Sequence, residues 1–469
     1  MPHVHGSHEP AWSLSRYLLI GLVLRGPAVW FGNGFEFVDQ QFQYVDPAWH
    51  LATGQAWHAT WEWLDGIRSW VYPGLLAGVF RALQWVGCDE PLATMRAVRG
   101  VHAVVSLLPL WLFWLLVVRW RPLPAPRLPL LLFASSGLLV GGVQPNGPAL
   151  AATLCVTAGL ALAGPTRFVA LAGLCLGLAF CCRFQDALFG PPFLAVLLWQ
   201  RRWSASAVFA LACVPGIVLQ GCVDLAHGAP FLATPWRYVA SNVGLGSAGK
   251  WQAQPFLFYL YAGVVPVLCL LPPMLRVAGQ RLWAGAALLP AAFAGAVVHL
   301  VAHSFVARKA LRFEYGALAM LLAVVAVGLP AAASRWARWH SACLGILHGG
   351  LFVWTSFWFG NAGAVQTALW LREQPGFDGR VVVVGGDATA VGGAFYARPP
   401  QMAMVGVARD GFAQWARANE VPAGSFLVAV REPLGTAEAD AARLELVASF
   451  TGSFDLRRGE RRFVYRRRP

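Results

Sequence analysis

From Leu128 to Thr166 the chain carries no Asp, Glu, Lys or Arg, and from Ser341 to Leu371 it carries none either. Each interval exceeds the roughly 20 apolar residues that an α-helix needs to cross a bilayer. A soluble fold has little use for so long an uncharged run, whereas a membrane requires one. The composition agrees, with 57% hydrophobic and 12% charged residues and a mean hydropathy of +0.55. Such a balance excludes an ordinary soluble domain.

The fold class this predicts is an all-α polytopic membrane protein of about 11 transmembrane helices, followed by a small soluble α/β domain. Spans are expected near 17–32, 99–118, 128–143, 147–164, 168–182, 187–200, 204–223, 256–275, 282–304, 316–332 and 341–360. Residues 1–16 form a short cytoplasmic tail, 17–371 the membrane domain and 372–469 the soluble domain. In that last part charge density rises, and Val381 to Val384, Phe426 to Val430 and Arg462 to Arg466 read as strands. The run VVVVGGDATAVGG, Val381 to Gly393, lacks the G-x-G-x-x-G spacing of a dinucleotide site.

The net charge of +14 does not point to nucleic acid, because the arginines sit singly or in pairs at the ends of apolar runs. With a cytoplasmic N-terminus, Arg16, Arg119, Arg121, Arg127, Arg167, Arg201, Arg202, Arg276, Arg281, Arg335 and Arg338 all fall on the inner side. That is the distribution the positive-inside rule describes. It holds only if the apolar segment Ser69 to Val86 does not span, so that segment is expected to be a re-entrant or juxtamembrane helix within a first outer loop at 33–98. Most of the nine cysteines lie inside apolar runs and show neither disulfide nor metal spacing. His3, His5 and His8 are read as part of a terminal tail.

The same topology leaves Arg68, Arg183, Lys250, Arg308, Lys309 and Arg312 on the outer side, with Asp39, Asp46, Glu62, Asp65, Asp186, Asp224 and Glu314. Cations that resist the topology rule fit an anionic ligand at the outer face, since Arg and Lys bind phosphate through charge-assisted hydrogen bonds. Snorkelling and pairing with the nearby acids are the alternatives. The stretch from Asp39 to Pro73, DQQFQYVDPAWHLATGQAWHATWEWLDGIRSWVYP, gathers acids, amides, aromatics and an arginine between membrane segments. A site there is the natural reading.

Several residues in that stretch, and three later groups in the same chain order, carry a family resemblance. Thr60 Trp61 Glu62 Trp63, then Gly66 Ile67 Arg68 Ser69 and Tyr72 Pro73, are similar to the T-W-E-[WY]...R-S-[YWF]-x-Y-P run of glycosyltransferase family 22, the GPI-anchor and N-glycan mannosyltransferases. Asp39 to Gln43 resembles the family's H-P-D-E-x-F-Q motif, with Phe37 and Val38 for its His and Pro and Gln40 for its Glu. Asn242, Gly246, Trp251, Pro255 and Tyr259 resemble its N-x-x-x-G...P-x-x-x-Y segment. Ser304 to Leu318 resembles its S-x-x-x-H-K-E-x-R-F-x-x-P-x-L segment, with Arg308 for His, Ala310 for Glu and Gly316 for Pro.

The resemblance implies a GT-C architecture and an inverting sugar transfer, of mannose in most of the family. The donor would be a polyprenyl-phosphate-linked sugar and the acceptor an extracytoplasmic glycan or glycolipid at the lipid bilayer, while the short loops and the plain soluble tail suggest a bacterial inner membrane as the setting. The general base it implies is Asp39, with Asp46 as the competing acid. Lys309 and Arg312, three apart and on one face if helical, with Arg308 and Arg183, would bind the donor phosphate. Glu62, Trp61, Trp63, Arg68, Gln43, Asn242 and Tyr259 would bind substrate. Trp61, Trp63, Trp70 and Tyr72 also suit an interfacial aromatic belt, and Glu62 also suits a pair with Arg68. With Gln40 in place of the second acid, no metal or other cofactor is expected. The rival classes are a transporter or flippase of polyprenyl-linked sugars, against which no internal repeat is visible, and a non-catalytic membrane scaffold.

Overall fold

The computed structural model describes residues 12–244, 253–331, 334–357, 360–386, 390–399, 403–418, 425–451 and 461–468. Gly246, Lys250 and Trp251 of the sequence reading, and His3, His5 and His8, lie outside the described residues. The chain divides into two compact units, one formed by 1–29, 66–71 and 99–356, the other by 30–65, 72–98 and 357–469.

The first unit is helical. Among the described residues of the whole chain, four helical stretches are long and apolar enough to cross a membrane, including Leu14–Phe31, Pro91–Trp120 and Trp203–Ala226, and the bent pair Leu260–Val267 and Pro272–Leu288 makes a fifth if it is one span. Gly147–Ala161, Arg167–Cys182, Phe184–Trp199 and Pro290–Ser304 are shorter apolar helices. The centre of the unit is the helix Tyr315–Val327, in which every residue from Gly316 to Val327 is buried. A helix apolar on all sides must be enclosed, and here helices 147–161, 275–288 and 290–304 enclose it.

Expected spans at 256–275 and 282–304 become three segments. Pro272 and Pro273 break the first, giving a 53° bend, and Pro290 starts a new helix after the break at Leu289. Arg281, expected in a loop, therefore lies inside the helix Leu275–Leu288, 3% exposed, where it donates to His340 and to the Ala337 carbonyl.

Two local devices hold this bundle. Helix 167–182 runs along helix 203–226 at a distance set by glycine: a Cβ on Gly216 would lie 2.2 Å from the Gly177 carbonyl. Small residues are what lets membrane helices approach so closely. Arg25, fully buried in the first helix, donates to the Gly21 and Ser106 carbonyls at 2.8 and 3.0 Å and to the Ser106 hydroxyl. A charge inside a span is tolerated when its donors are used in this way.

The second unit joins residues 30–65 and 72–98 to the C-terminal part of the chain, 357–469. Residues Val38–Thr53 form one helical run with a π-helical turn at Gln41–Val45, and Trp61–Leu64 and Val71–Trp85 follow as further helices. Val71–Trp85 has 15 residues. The C-terminal sheet contains β1 (Arg380–Val384), β2 (Ala403–Val407), β3 (Phe426–Val430), β4 (Leu444–Phe450) and β5 (Arg462–Arg467) in the order β2-β1-β3-β5-β4. Strand β1 is parallel to β2 and β3, while β5 is antiparallel to β3 and β4. Val384, Leu427, Ala429, Phe412 and Tyr465 fill one core, and the Tyr465 hydroxyl accepts the Leu434 amide at 2.9 Å.

Candidate functional site

In the second unit the polar residues of the loop are bound to one another. All five residues of the π turn Gln41–Val45 are buried, and such turns recur at functional sites. Gln43 Nε2 donates to Glu62 Oε1 at 2.8 Å, Trp63 Nε1 to the Phe42 carbonyl at 3.3 Å, and the Glu36 amide to Gln40 Oε1 at 3.0 Å. Asp39 stands half-buried in the turn just before them.

Asp46, the competing acid, has another occupation. Its Oδ1 accepts Gln41 Nε2 at 2.6 Å and the Phe395 amide at 2.9 Å, and its Oδ2 accepts the Ala394 amide at 2.9 Å. Gly393, at φ +78°, makes the approach possible, because a Cβ there would lie 2.5 Å from Asp46 Oδ2. Burial pushes the Asp46 carboxyl up to about 6, against the pull of these three bonds. Wholly enclosed and saturated, it has no face to offer a substrate.

Trp63 meets Trp57 edge-on at 5.7 Å, Tyr72 meets Tyr44 at 5.3 Å, Trp70 stacks on His227 at 4.9 Å, and Trp61 is exposed.

In the first unit the expected cations surround Phe313 and Tyr238. Arg183 and Arg312 each place a guanidinium over the Phe313 ring, at 5.1 and 5.3 Å. Arg183 Nη1 donates to Asp186 Oδ1 at 3.1 Å and to the Phe313 carbonyl at 2.6 Å, while its buried Nη2 has no hydrogen-bond partner among the described residues. Burial raises the Tyr238 phenol, and Arg68, Arg183 and Arg308 oppose the rise, so these three cations lie within electrostatic reach of one ring. Gln185 donates to that hydroxyl, and Asn242 Nδ2 donates to the Tyr238 carbonyl at 2.9 Å.

Lys309 does not share a helical face with Arg312. The 3-10 helix begins only at Leu311, and the Lys309 ammonium donates to the Gln254 and Val306 carbonyls at 3.0 and 2.7 Å. Strand-like pairing of Ala253 with Arg308 holds it there.

Below the arginines lies a group that the sequence reading did not select. His299 and His303 on helix 290–304 meet Glu314, and one ligand atom from each lies within 4.8 Å of the others, a set able to hold a metal ion. Two histidines four apart in an apolar helix were the signal for it.

A match to the Alg9-like mannosyltransferase family spans residues 18–370, most of the chain. The chain belongs to this family. GPI mannosyltransferase 3 of Yarrowia lipolytica is 26% identical over 370 residues, 72% of this chain and 66% of that protein. Its counterpart in Gibberella zeae is 33% identical over 107 residues, 21% of this chain and 17% of that protein. The chain thus spans less than two thirds of the length of these curated relatives. Among solved structures, ArnT from Cupriavidus metallidurans bound to undecaprenyl phosphate superposes with a TM-score of 0.63 at 12% identity, covering 96% of this chain and 97% of that one. At that identity the likeness shows the fold, and it bears out the GT-C membrane architecture with a small C-terminal domain.

Proposed function

We propose that this member of the Alg9-like family is an inverting mannosyltransferase that moves one sugar from a polyprenyl-phosphate donor to an extracytoplasmic glycan or glycolipid acceptor. Asp39 is its general base. The observation that carries the assignment is the enclosure of Asp46: two acids compete for the role of base, and one of them is sealed by three hydrogen bonds. Asp39 remains, half-buried at the mouth of the polar turn.

In this reading an acceptor hydroxyl attacks the anomeric carbon from the face opposite the phosphate. The new C–O bond forms as the bond to the phosphate oxygen breaks, the proton passes to Asp39, and the phosphate leaves with the electron pair on its lipid. Negative charge grows on that phosphate, so fixed cations lower the barrier. Arg183 and Arg312 beside Phe313, with Arg68 and Arg308 near Tyr238, are the cations proposed for this. Gln43, Glu62, Trp61 and Trp63 are proposed to hold sugar hydroxyls, and Tyr259 and Asn242 to line the donor site. Lys309, held by two carbonyls, fits a role in shaping the cation loop as well as in binding phosphate.

The C-terminal domain is placed, in the same reading, on the outer side with the loop. Hydrogen bonds from Ala394 and Phe395 to Asp46 support this reading.

The test uses membranes containing the full-length chain, a polyprenyl-phosphate-mannose donor carrying labelled sugar, and extracted native glycolipids as acceptors. Wild type should transfer label, and Asp39→Asn should lose about 10²- to 10⁴-fold of the rate with unchanged membrane insertion. Transfer by Asp39→Asn within a few-fold of wild type would remove Asp39 from the reaction.

A further inference from the structure

We propose that His299, His303 and Glu314 bind a divalent transition-metal cation of the zinc class, with Asp186 orienting His299 from outside the coordination shell. The two histidines are four residues apart on helix 290–304, which puts them on one face, and their ring centroids are 4.2 Å apart. Glu314 closes the 3-10 helix Leu311–Glu314 and is 0% exposed.

Both imidazoles turn Nδ1 toward Glu314: His299 Nδ1 lies 2.8 Å from Oε2, and His303 Nδ1 lies 3.3 Å from Oε1. Ligand bonds of about 2.0–2.1 Å at tetrahedral angles leave ligand atoms roughly 3.4 Å apart, so little movement would seat an ion between them. Two nitrogens and one carboxylate match the His₂Glu set that zinc takes with a fourth position open. Calcium and magnesium prefer all-oxygen shells.

A second observation points the same way. Glu314 Oε1 is buried yet has no hydrogen-bond partner among the described residues. A carboxylate oxygen left unsatisfied in an apolar bundle is costly, and a cation removes the cost. The alternative occupant is a proton: His299 as imidazolium would bridge Asp186 and Glu314 Oε2. It would leave Oε1 as it is, with His303 Nδ1 donating to the His299 carbonyl at 3.1 Å, whereas ligation through that nitrogen removes its proton and replaces this bond.

The surroundings of His299 are those of a metal-bound histidine. Its Nε2 lies 3.3 Å from Asp186 Oδ1, the outer-shell carboxylate that such histidines commonly carry. Phe189 stacks on its ring at 4.2 Å and 8°, fixing the plane. Asp186 also holds Arg183, so the ion would fix the turn that presents that guanidinium. The site makes no use of the loop in the other unit, and its metal content can be read without any turnover.

The experiment uses full-length protein purified in detergent without a histidine tag or chelator, in a background of His3→Ala, His5→Ala and His8→Ala. Elemental analysis after equilibration with zinc and desalting should give about one zinc per chain, falling at least ~10-fold in His303→Gln and Glu314→Gln. Cobalt added to the metal-free parent should give the visible absorption of a tetrahedral Co²⁺ site, and this reading needs no variant to fold. Less than about 0.1 zinc per chain in the parent, with no cobalt band, overturns the proposal and leaves a proton as the occupant. Equal zinc in the parent and in well-folded variants overturns it as well.

Discussion

The Phe395 amide donates to Asp46 Oδ1 at 2.9 Å across 349 residues of sequence, tying the helix Asp46–Thr53 to the C-terminal part of the chain. Burial lifts the folded-state pKa of Asp46 from 3.8 to about 6. A raised pKa means that the folded state holds the proton more tightly than the unfolded one. The stability this contributes is full below about pH 4 and lost as pH rises through about 6. The apparent melting midpoint of wild type should therefore fall between pH 5 and pH 7 by more than that of Asp46→Asn, which also starts lower because the amide offers one acceptor fewer. Scanning fluorimetry in detergent at these pH values measures both, and parallel pH dependences would rule the account out.

Gln43 and Glu62 form a second hydrogen-bonded pair, 2.8 Å apart and buried. Removing one member takes a buried hydrogen bond from the other, so Gln43→Ala and Glu62→Ala should each cost about 1–3 kcal/mol and the double variant clearly less than the sum. Melting midpoints and transfer rates of the three variants give the coupling. Strict additivity would show that the bond is not an energetic unit.

The apolar intervals made the membrane fold legible, because hydropathy acts locally. What failed to read out depended on distant partners. Asp46 looked like a rival base until Phe395 and Ala394 were found on it, and no local pattern reports an amide that far along the chain. Strands β1, β3 and β5 were evident from branched runs, whereas β2, AMVGV, hides behind Met404 and Gly406, and β4 alternates too weakly. Pro290 did signal a new helix, and the unbroken hydropathy across it concealed the break. His299 and His303 were visible at helical spacing, but Glu314 completes their group only in space.

Gly216 tests how the bundle is held. Its missing Cβ leaves room for the Gly177 carbonyl, and Cys181 Sγ donates to the Gly216 carbonyl at 3.0 Å in the same contact. Gly216→Val should force the two helices apart at a cost of about 1–3 kcal/mol or more, lowering the yield of monodisperse protein. Gly345→Ala, where nothing lies within 4 Å of the added carbon, is the matched control. Size-exclusion profiles of the two variants should differ sharply; equal profiles would mean that the helices can reseat.

Arg183 separates charge from shape at the proposed donor site. Its Nη1 is fixed by Asp186 and the Phe313 carbonyl, and its Nη2 is left for a ligand. Arg183→Lys keeps the positive charge but has one compact ammonium, which can serve the Phe313 carbonyl or a phosphate and not both in the same geometry. If a fork is required, KM for the polyprenyl-phosphate donor should rise about tenfold or more, equivalent to roughly 1.4 kcal/mol, with a smaller effect on kcat. Arg183→Gln, which removes the charge as well, should lower kcat in addition, because the departing phosphate then loses a cation it needs most in the transition state. Initial rates over a range of donor concentrations separate the two variants. A lysine variant with wild-type KM would show that charge alone matters at this position.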